Sequence, residues 1–381
     1  MIWWQKLQKN PLARLGAIIL LVFYGAVIAA EMIAPYDPYT SNINASLLPP
    51  TQIYWRNQVT GNWIGPHVYP TTQGPVSLET GARQVTVEFD QPSPLRLGVK
   101  GSEYRWLQIQ LPLPTRLSLQ QPGFEEIELF PGFAGNRHLF GTLGPGRINL
   151  LGTDGQARDQ FSRLIYGGRI SLSIGLVGIV LSFPLGLVVG GLAGYFGGVV
   201  DAVLMRLVEV IMTIPDIYLL VALAAVLPPT LSSAQRFLLI ILITSFVRWT
   251  GLARVIRGQV LSLKSQTYVQ ASQAMGGKAF YIILRHILPQ TASYVIISAT
   301  LAIPGFILAE AVLSLIGLGI QQPDPSWGNM LSLATDASIL VLHPWLIWPP
   351  ALLIVLTVLS FNLLGDGLRD ALDPRSLRSY D

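Results

Sequence analysis

Few residues in this sequence have a type and spacing suited to catalysis. Gly277 and Lys278 look like the end of a Walker A phosphate loop, but Ala279 stands where Ser or Thr is required, and Ser272 where the first glycine belongs. The four histidines are scattered without metal-ligand spacing, no nucleophile motif of the G-x-S-x-G kind occurs, and cysteine is absent. We therefore predict no catalytic residue, no metal site and no cofactor bound by this chain, so that uphill work would draw its energy from a partner.

Three ionisable residues lie at or inside apolar runs: Glu209, Arg248 and Glu310. Charged groups at membrane depth are costly, face a bundle interior or a cavity, and often mark a transport pathway. The alternative is that each belongs to an interhelical or interfacial ion pair. We keep the three residues as pathway candidates.

A polar, mildly basic segment, Tyr268–Pro289 (YVQASQAMGGKAFYIILRHILP), separates two apolar runs. We expect a first helix over Thr267–Met275 with a small-residue face, a break at Gly276-Gly277, and a second helix over Lys278–Leu288. Pro289 suits the first turn of the next helix, where its missing N–H costs little. Such a helix pair could anchor at the membrane surface or dock onto a partner, and these residues by themselves favour neither.

The composition indicates a polytopic membrane protein. Of 381 residues 51% are hydrophobic and 12% charged, whereas soluble domains carry roughly 25% charged residues. The net charge of +4 is small, and the basic residues cluster near the ends of the apolar runs. We therefore interpret these basic residues as charges that set the membrane orientation, not as a nucleic-acid-binding surface.

Six apolar runs approach or exceed the roughly 20 residues that a helix needs to cross the hydrocarbon core. We predict an all-α membrane protein with six transmembrane helices. The first run is too long for a signal-peptide core, and we read it as an uncleaved span, although Ala29-Ala30 could form a cleavage site. The six runs are 12–34, Ile170–Tyr195, Val199–Leu227, Phe237–Ile256, Gln290–Leu315 and Pro344–Leu364.

The distribution of Lys and Arg predicts the orientation. The loops at 228–236 and 317–343 hold one basic residue and none, respectively. Because positive charge marks the cytoplasmic side, both termini and the Tyr268–Pro289 segment are predicted to be cytoplasmic. The basic clusters are Lys6, Lys9 and Arg14 at the N-terminus, Arg254, Arg257, Lys264, Lys278 and Arg285 after the fourth run, and Arg369, Arg375 and Arg378 in the tail.

A long insert, 36–157, separates the first two runs. It is rich in Pro and Gly, and alternating stretches at Val85–Asp90 and Tyr104–Gln110 are typical of strands. We predict a small β-rich extracytoplasmic domain, with a partly ordered loop as the alternative. The predicted division is therefore 1–35 for the N-terminus and first span, 36–157 for the insert, and 158–381 for the membrane-spanning core with its loop at 265–289.

Small residues recur at every fourth position of the second run. Such spacing lets another helix approach closely, either within this subunit, which we favour, or at a subunit interface. The ladder comprises Gly178, Ser182, Gly186, Gly190, Gly194 and Gly198.

The segment after the fourth run resembles the EAA loop of permease subunits of bacterial ABC importers, in the peptide/nickel family. The pattern QASQAMGG, followed about a dozen residues later by ILP, carries the likeness. Four further stretches resemble the family in order: 151–172, 194–215, 307–331 and 361–375. Together they cover most of residues 151–375.

The resemblance implies the machinery around this chain. It implies a heterodimer with a second homologous permease, two ABC ATPases that bind ATP and Mg, an extracytoplasmic substrate-binding protein, and a place in the bacterial cytoplasmic membrane. The loop would seat in an ATPase cleft and couple ATPase closure to alternating access. The implied ATPase-docking residues are Gln270, Ala271, Ser272, Ala274, Gly276, Gly277, Lys278 and Pro289.

The chain departs from the family pattern at three places. Gln270 replaces the usual first Glu of the EAA loop and loses its charge. Ala157 replaces a glycine before Arg158-Asp159, and the insert is longer than in the simplest members. The resemblance implies import of peptides, with nickel chelates, oligosaccharides or modified peptides as the alternative cargo. A membrane scaffold whose insert binds a surface partner is the alternative of another class.

Overall fold

Long apolar helices dominate the computed structural model, which describes residues 2–76, 83–116, 123–228 and 231–372. Within these ranges five helical stretches are long and apolar enough to cross a membrane, and a bent pair makes a sixth if it counts as one span. The helices are α1 (Ile2–Lys9), α2 (Pro11–Ile28), α3 (Ala30–Ile33), α4 (Gln160–Phe196), α5 (Gly198–Thr213), α6 (Asp216–Ala225), α7 (Ser233–Lys264), α8 (Thr267–Ala274), α9 (Ala279–Ile282), α10 (Ala292–Leu315), α11 (Trp327–Leu331), α12 (Ala337–Leu342) and α13 (Trp348–Leu372). The tail residues Arg375 and Arg378 lie outside the described ranges.

Several helices extend well beyond the apolar runs. Helix α4 begins ten residues before Ile170, because the Asp159 side chain caps it by accepting the Ser162 N–H at 2.7 Å. Helix α7 begins at a capping box formed by Ser232 and Gln235. Hydropathy therefore located the membrane-crossing portions, whereas the caps set the ends of the helices.

The third predicted span is wrong as a single continuous helix. The chain bends by 80° between α5 and α6. Ile214 and Pro215 adopt extended backbone there, with ψ of 125° and 129°. Proline disfavours helical geometry in the residue before it and lacks the N–H that would continue the ladder.

The helix predicted to end before Pro289 instead continues towards the fifth span. After α9 the chain forms a π-helical turn, Ile283–Ile287, and a 3-10 turn, Leu288–Thr291, which leads directly into α10. Pro289 lies in that 3-10 turn, near the start of α10. The whole stretch from Ala279 to Leu315 is a single helical run.

Eight strands lie between residues 54 and 142. Four of them form an antiparallel sheet in the order β1-β2-β5-β8, and β3-β4 and β6-β7 form two hairpins. The first predicted strand overlaps β4, but the second is interrupted by a turn at Leu107, whose φ is +60°. The strands are β1 (Tyr54–Arg56), β2 (Trp63–Val68), β3 (Thr71–Val76), β4 (Arg83–Val87), β5 (Ser93–Trp106), β6 (Ile109–Arg116), β7 (Gly123–Phe130) and β8 (Phe133–Thr142).

The sheet is fastened to the end of the first span. The Trp106 indole donates to the Ile28 carbonyl at 2.9 Å, and His138 Nδ1 lies 2.6 Å from the Ala34 carbonyl oxygen. The Arg147 guanidinium lies 4.0 Å from the centre of the Tyr36 ring. These contacts place the strands against the C-terminal end of α2 and α3.

The small-residue ladder of α4 packs against α7 inside this chain. A Cβ added at Gly186 would lie 2.9 Å from the Trp249 carbonyl oxygen, and one at Gly194 would lie 2.8 Å from the Arg257 carbonyl oxygen. At Gly190 the added atom would overlap the Ala253 carbonyl oxygen. The ladder thus serves internal packing at these positions.

We expect G190A to lower the melting temperature of the purified protein and G191A to leave it nearly unchanged. The Gly190 site has no room before the α7 backbone, and overpacking typically costs about 1–3 kcal/mol. A Cβ at Gly191 would meet only side-chain atoms of Ile283 and Leu288, at ordinary distances of 3.5 and 3.9 Å. Thermal unfolding in detergent compares the two neighbours, and equal melting temperatures would contradict this account of α4–α7 packing.

Candidate functional site

The helix α8 is seated on the bundle by one inner face. Val269 and Ser272 are buried, and Val269 joins a core cluster with Val260 of α7 and Ile282 of α9. Helical spacing of three residues puts Val269 and Ser272 on the same side. The intervening residues consequently face outwards.

Gly276 and Gly277 form the turn between α8 and α9, and each of the two positions requires glycine for a different reason. Gly276 adopts a φ of +83°, which side chains other than glycine rarely adopt. The Gly277 N–H donates to the Ser272 carbonyl at 2.9 Å, and a Cβ there would lie 2.8 Å from that same oxygen. The break is therefore a compact, glycine-dependent turn.

The structure divides the predicted docking residues into two groups. Gln270, Ala271, Ala274 and Lys278 are exposed, as are Gly276 and Pro289. Ser272 is buried beneath Gly277, so its side chain supports the turn and does not reach the outer surface.

Large apolar side chains, which the sequence prediction did not include, surround the exposed alanines. We define the outer face of α8 as Tyr268, Ala271, Ala274 and Met275, with Phe280 of α9 beside it. Met275 is 82% exposed and Phe280 63%. A surface of small side chains with large apolar side chains around it can accommodate a side chain of a partner protein.

Gln270 stabilises the junction before α8. Its amide Nε2 donates to the Ser265 carbonyl at 3.3 Å, just beyond the last residue of α7. A glutamate carboxylate at this position could only accept hydrogen bonds and could not make this one. The departure from the family pattern thus has a local structural use.

Side chains at the ends of α4 and α7 tie α8 to the spans. Gln273 Nε2 donates to the Tyr195 hydroxyl at 3.3 Å, and Lys264 Nζ donates to the Tyr195 carbonyl. Arg257 of α7 also pairs with Asp201 of α5. These contacts join α8 to α4, α4 to α7, and α7 to α5.

Glu310 is fully buried among serine hydroxyls. Ser314 and Ser326 donate to its Oε1 at 2.7 and 2.8 Å, and Ser171 lies 3.5 Å from Oε2. Each of these hydroxyls also accepts a backbone N–H, from Ile320, Asn329 and Trp327 respectively. The carboxyl group thus joins α4, α10 and the loop before α11, a structural task that the sequence did not reveal.

Glu209 and Arg248 differ in their surroundings. Glu209 is exposed and pairs with Arg206 at 3.1 Å, as in the ion-pair alternative. Arg248 lines a cavity of about 210 Å³ together with Asp216, Met212 and Phe306. Of the three pathway candidates, Arg248 is the one that we place on a cavity. Asp216 was missed because the predicted span ran through Pro215 without a break.

A buried ion network lies at the start of α4, on the same end of the bundle as the strands. Arg158 donates to Asp154 through Nε at 2.8 Å and to the Gln322 side-chain oxygen at 2.7 Å. Arg163 donates to the Pro323 carbonyl at 3.0 Å. Ala157 adopts a φ of +61° in this turn, which costs an L-residue other than glycine roughly 1–2 kcal/mol.

Burial raises the pKa of Asp159, the N-cap of α4, to about 6. A carboxyl whose pKa is higher in the folded than in the unfolded chain favours folding most at low pH. That contribution is lost as pH rises from about 4 through 6, and a shift of this size corresponds to about 3 kcal/mol. We expect D159N to remove this part of the pH dependence while keeping the cap, since its amide oxygen can accept the two Ser162 donors.

Melting temperatures of the wild type and D159N between pH 4 and 7 test this expectation. The difference between the two proteins should grow in favour of D159N as pH rises. A difference that is constant with pH would contradict the assignment to Asp159.

Among the described residues no group of three or more His, Asp or Glu side chains is arranged to hold a metal ion. Buried carboxylates instead accept hydrogen bonds from serine hydroxyls or from guanidinium groups. The described residues thus form an exposed helix, α8, packed against a helical bundle that contains the cavity at Arg248.

Comparison with known families agrees with this geometry. The family described as "Binding-protein-dependent transport system inner membrane component" matches residues 186–378, which include α8 and the cavity. The chain belongs to this family. A second match, to the "N-terminal TM domain of oligopeptide transport permease C", covers residues 2–50.

Curated relatives within the family are permease proteins. The chain is 42% identical to the dipeptide transport system permease protein DppC of Bacillus subtilis over 238 residues, covering 62% of this chain and 72% of that protein. It is 40% identical to the oligopeptide permease protein OppC of Haemophilus influenzae, covering 60% and 70%. It is also 40% identical to the glutathione permease protein GsiD of Pectobacterium atrosepticum, covering 61% and 74%.

A solved structure of the MetNI methionine ABC transporter, in an inward-facing conformation, also matches. Its TM-score is 0.44 at 18% identity, covering 56% of this chain and 98% of that one. Family membership is decided by the sequence matches.

Proposed function

We propose that this chain is a non-catalytic transmembrane subunit of an ATP-driven importer that moves peptides across the bacterial cytoplasmic membrane. The observation that carries the proposal is the outer face of α8, inside the region that matches the permease family. Relatives named for dipeptides, oligopeptides and glutathione support peptide cargo. Nickel chelates, oligosaccharides and modified peptides are the alternative cargo.

Energy enters through α8 in this proposal. ATP and Mg²⁺ bind in two partner ATPases, and a cleft of one ATPase receives Ala271 and Ala274. The hydrogen bonds of Tyr195 with Gln273 and Lys264 support transmission of its motion to α4 and α7. The spans then alternate between inward and outward access.

We further propose six spans, with α5 and α6 forming the third, and both termini in the cytoplasm. The basic residues after α7 and at the N-terminus support this orientation. A second, homologous permease completes the pathway as a heterodimer. The insert, residues 36–157, then forms a β-rich extracytoplasmic domain beside the binding protein, and residues 158–381 form the permease core.

Co-expression with the ATPases, second permease and binding protein tests the proposal. We expect the ATPases to co-purify with this chain, and proteoliposomes containing the complex to accumulate labelled peptide only with ATP. A scaffold would insert and bind a surface partner without ATPase co-purification. Thermal-shift screening of the binding protein against peptides, chelates and sugars decides the cargo class.

A further inference from the structure

The bend between α5 and α6 opens onto the cavity of about 210 Å³. Backbone that is not helical is tolerated at membrane depth only where protein buries it or where it lines a water-filled cavity. The break falls inside a helix pair that is apolar enough to be one span. Met212 and Asp216, on either side of the break, both line the cavity.

Arg248 of α7 lines the same cavity. It is the sixteenth of the 32 residues of α7, at the middle of a membrane-crossing helix. Its buried Nε has no hydrogen-bond partner among the described residues, and its guanidinium lies 5.3 Å from the centre of the Phe306 ring. A guanidinium fork is suited to bidentate binding of a carboxylate, and no carboxylate of the described residues, Asp216 included, lies within ion-pair distance of it.

Asp216 adds a negative charge to the lining of the same cavity. It lies in the first turn of α6, where unsatisfied backbone N–H groups favour a carboxylate, and no ion pair joins it to another described residue. The cavity therefore presents one cationic and one anionic group. A simple anion attracted by Arg248 would be repelled by Asp216, whereas a cargo with both charges satisfies the two.

We infer that Arg248 binds the carboxylate of a zwitterionic cargo during passage and that Asp216 attracts its ammonium group. The inference rests on the proposed import function and names a cargo-reading site within it. The chemistry fits the two ends of a short, unmodified peptide. It disfavours neutral sugars, which carry neither charge.

Uptake of trialanine, its C-terminal amide and its N-acetyl form by the complete complex tests the site. We expect R248Q to reduce trialanine uptake about tenfold relative to uptake of the amide, since hydrogen bonds to charged groups are the strong ones. D216N should reduce trialanine uptake relative to that of the acetylated form. Because wild type and variants share one binding protein, its own preference cancels when the ratios are compared.

Two further variants distinguish a loss of cargo binding at Arg248 from a general loss of folding. A Cβ at Gly305 would overlap Arg248 Nη1, so G305A displaces the guanidinium but keeps the charge and should shift the same ratio. R254Q removes an exposed charge from the same helix and should shift nothing. If R248Q reduced uptake of all three peptides equally and weakened co-purification of the second permease, Arg248 would pair with that subunit and the inference would be wrong.

Unchanged ratios in R248Q and G305A would also overturn the inference while leaving the importer proposal intact. By contrast, a wild-type complex without ATP-dependent uptake of any peptide would overturn the proposed function itself. The two failures are therefore distinguishable in one set of vesicles.

Discussion

A274W is expected to abolish peptide uptake while the chain still inserts into the membrane. Ala274 is exposed on the outer face of α8, and its methyl group leaves that part of the surface open to a partner. An indole would cover that surface, and no buried contact of the bundle is altered. Uptake by proteoliposomes and ATPase co-purification measure the effect.

A274S is the matched control, because serine adds one oxygen and should leave both readouts close to wild type. Tryptophan at Gly276 is a poorer test than at Ala274, since the φ of +83° would strain any side chain there. Survival of both uptake and ATPase co-purification in A274W would rule out α8 as the docking element.

Of the substitutions that we propose for this protein, D154A should lower the free energy of unfolding most. Asp154 accepts from Arg158 at 2.6 and 2.8 Å and lies 3.4 Å from Arg163 Nε, and all three side chains are buried. Removing one partner of a buried ion pair leaves uncompensated charge and typically costs about 3–5 kcal/mol. The melting temperature in detergent should fall accordingly.

E128A supplies the comparison on the surface. Glu128 lies 3.7 Å from Arg105, and both side chains are about half exposed or more in the sheet region, at 43% and 58%. Exposed pairs contribute roughly 0–1 kcal/mol. Similar decreases in melting temperature for D154A and E128A would contradict the stabilising role that burial predicts for the network at the start of α4.

The structure shows the local consequence of two departures from the family pattern. Gln270 donates a hydrogen bond that glutamate could not make, and Ala157 occupies a left-handed turn where the family's glycine would be unstrained. The first change is compensated locally, whereas among the described contacts we find no compensation for the second. Both consequences depend on backbone geometry, which residue identity by itself did not reveal.

Local chemistry allowed much of the fold to be predicted from the sequence. Run length and hydropathy located the apolar helices, and the Gly-Gly pair marked the turn after α8, because these properties act within a few neighbouring residues. Pro215 indicates the bend in the third span, but a single helix was predicted because the apolar run continues across this proline. The ladder on α4 likewise predicted close packing without specifying the neighbour.

Contacts between distant parts of the chain decided the remainder. Whether the Ser272 side chain is buried or exposed depends on how α8 packs against α4 and α7. The serine hydroxyl groups that surround Glu310 come from positions as far apart as Ser171 and Ser326. Asp216 and Arg248 share a cavity because the α5–α6 bend faces the middle of α7. The sequence by itself determined that this is a membrane protein with a polar helical segment between two of its apolar spans. Only the tertiary structure decided which of its polar residues meet, since their partners are set by helix packing and not by neighbours along the chain.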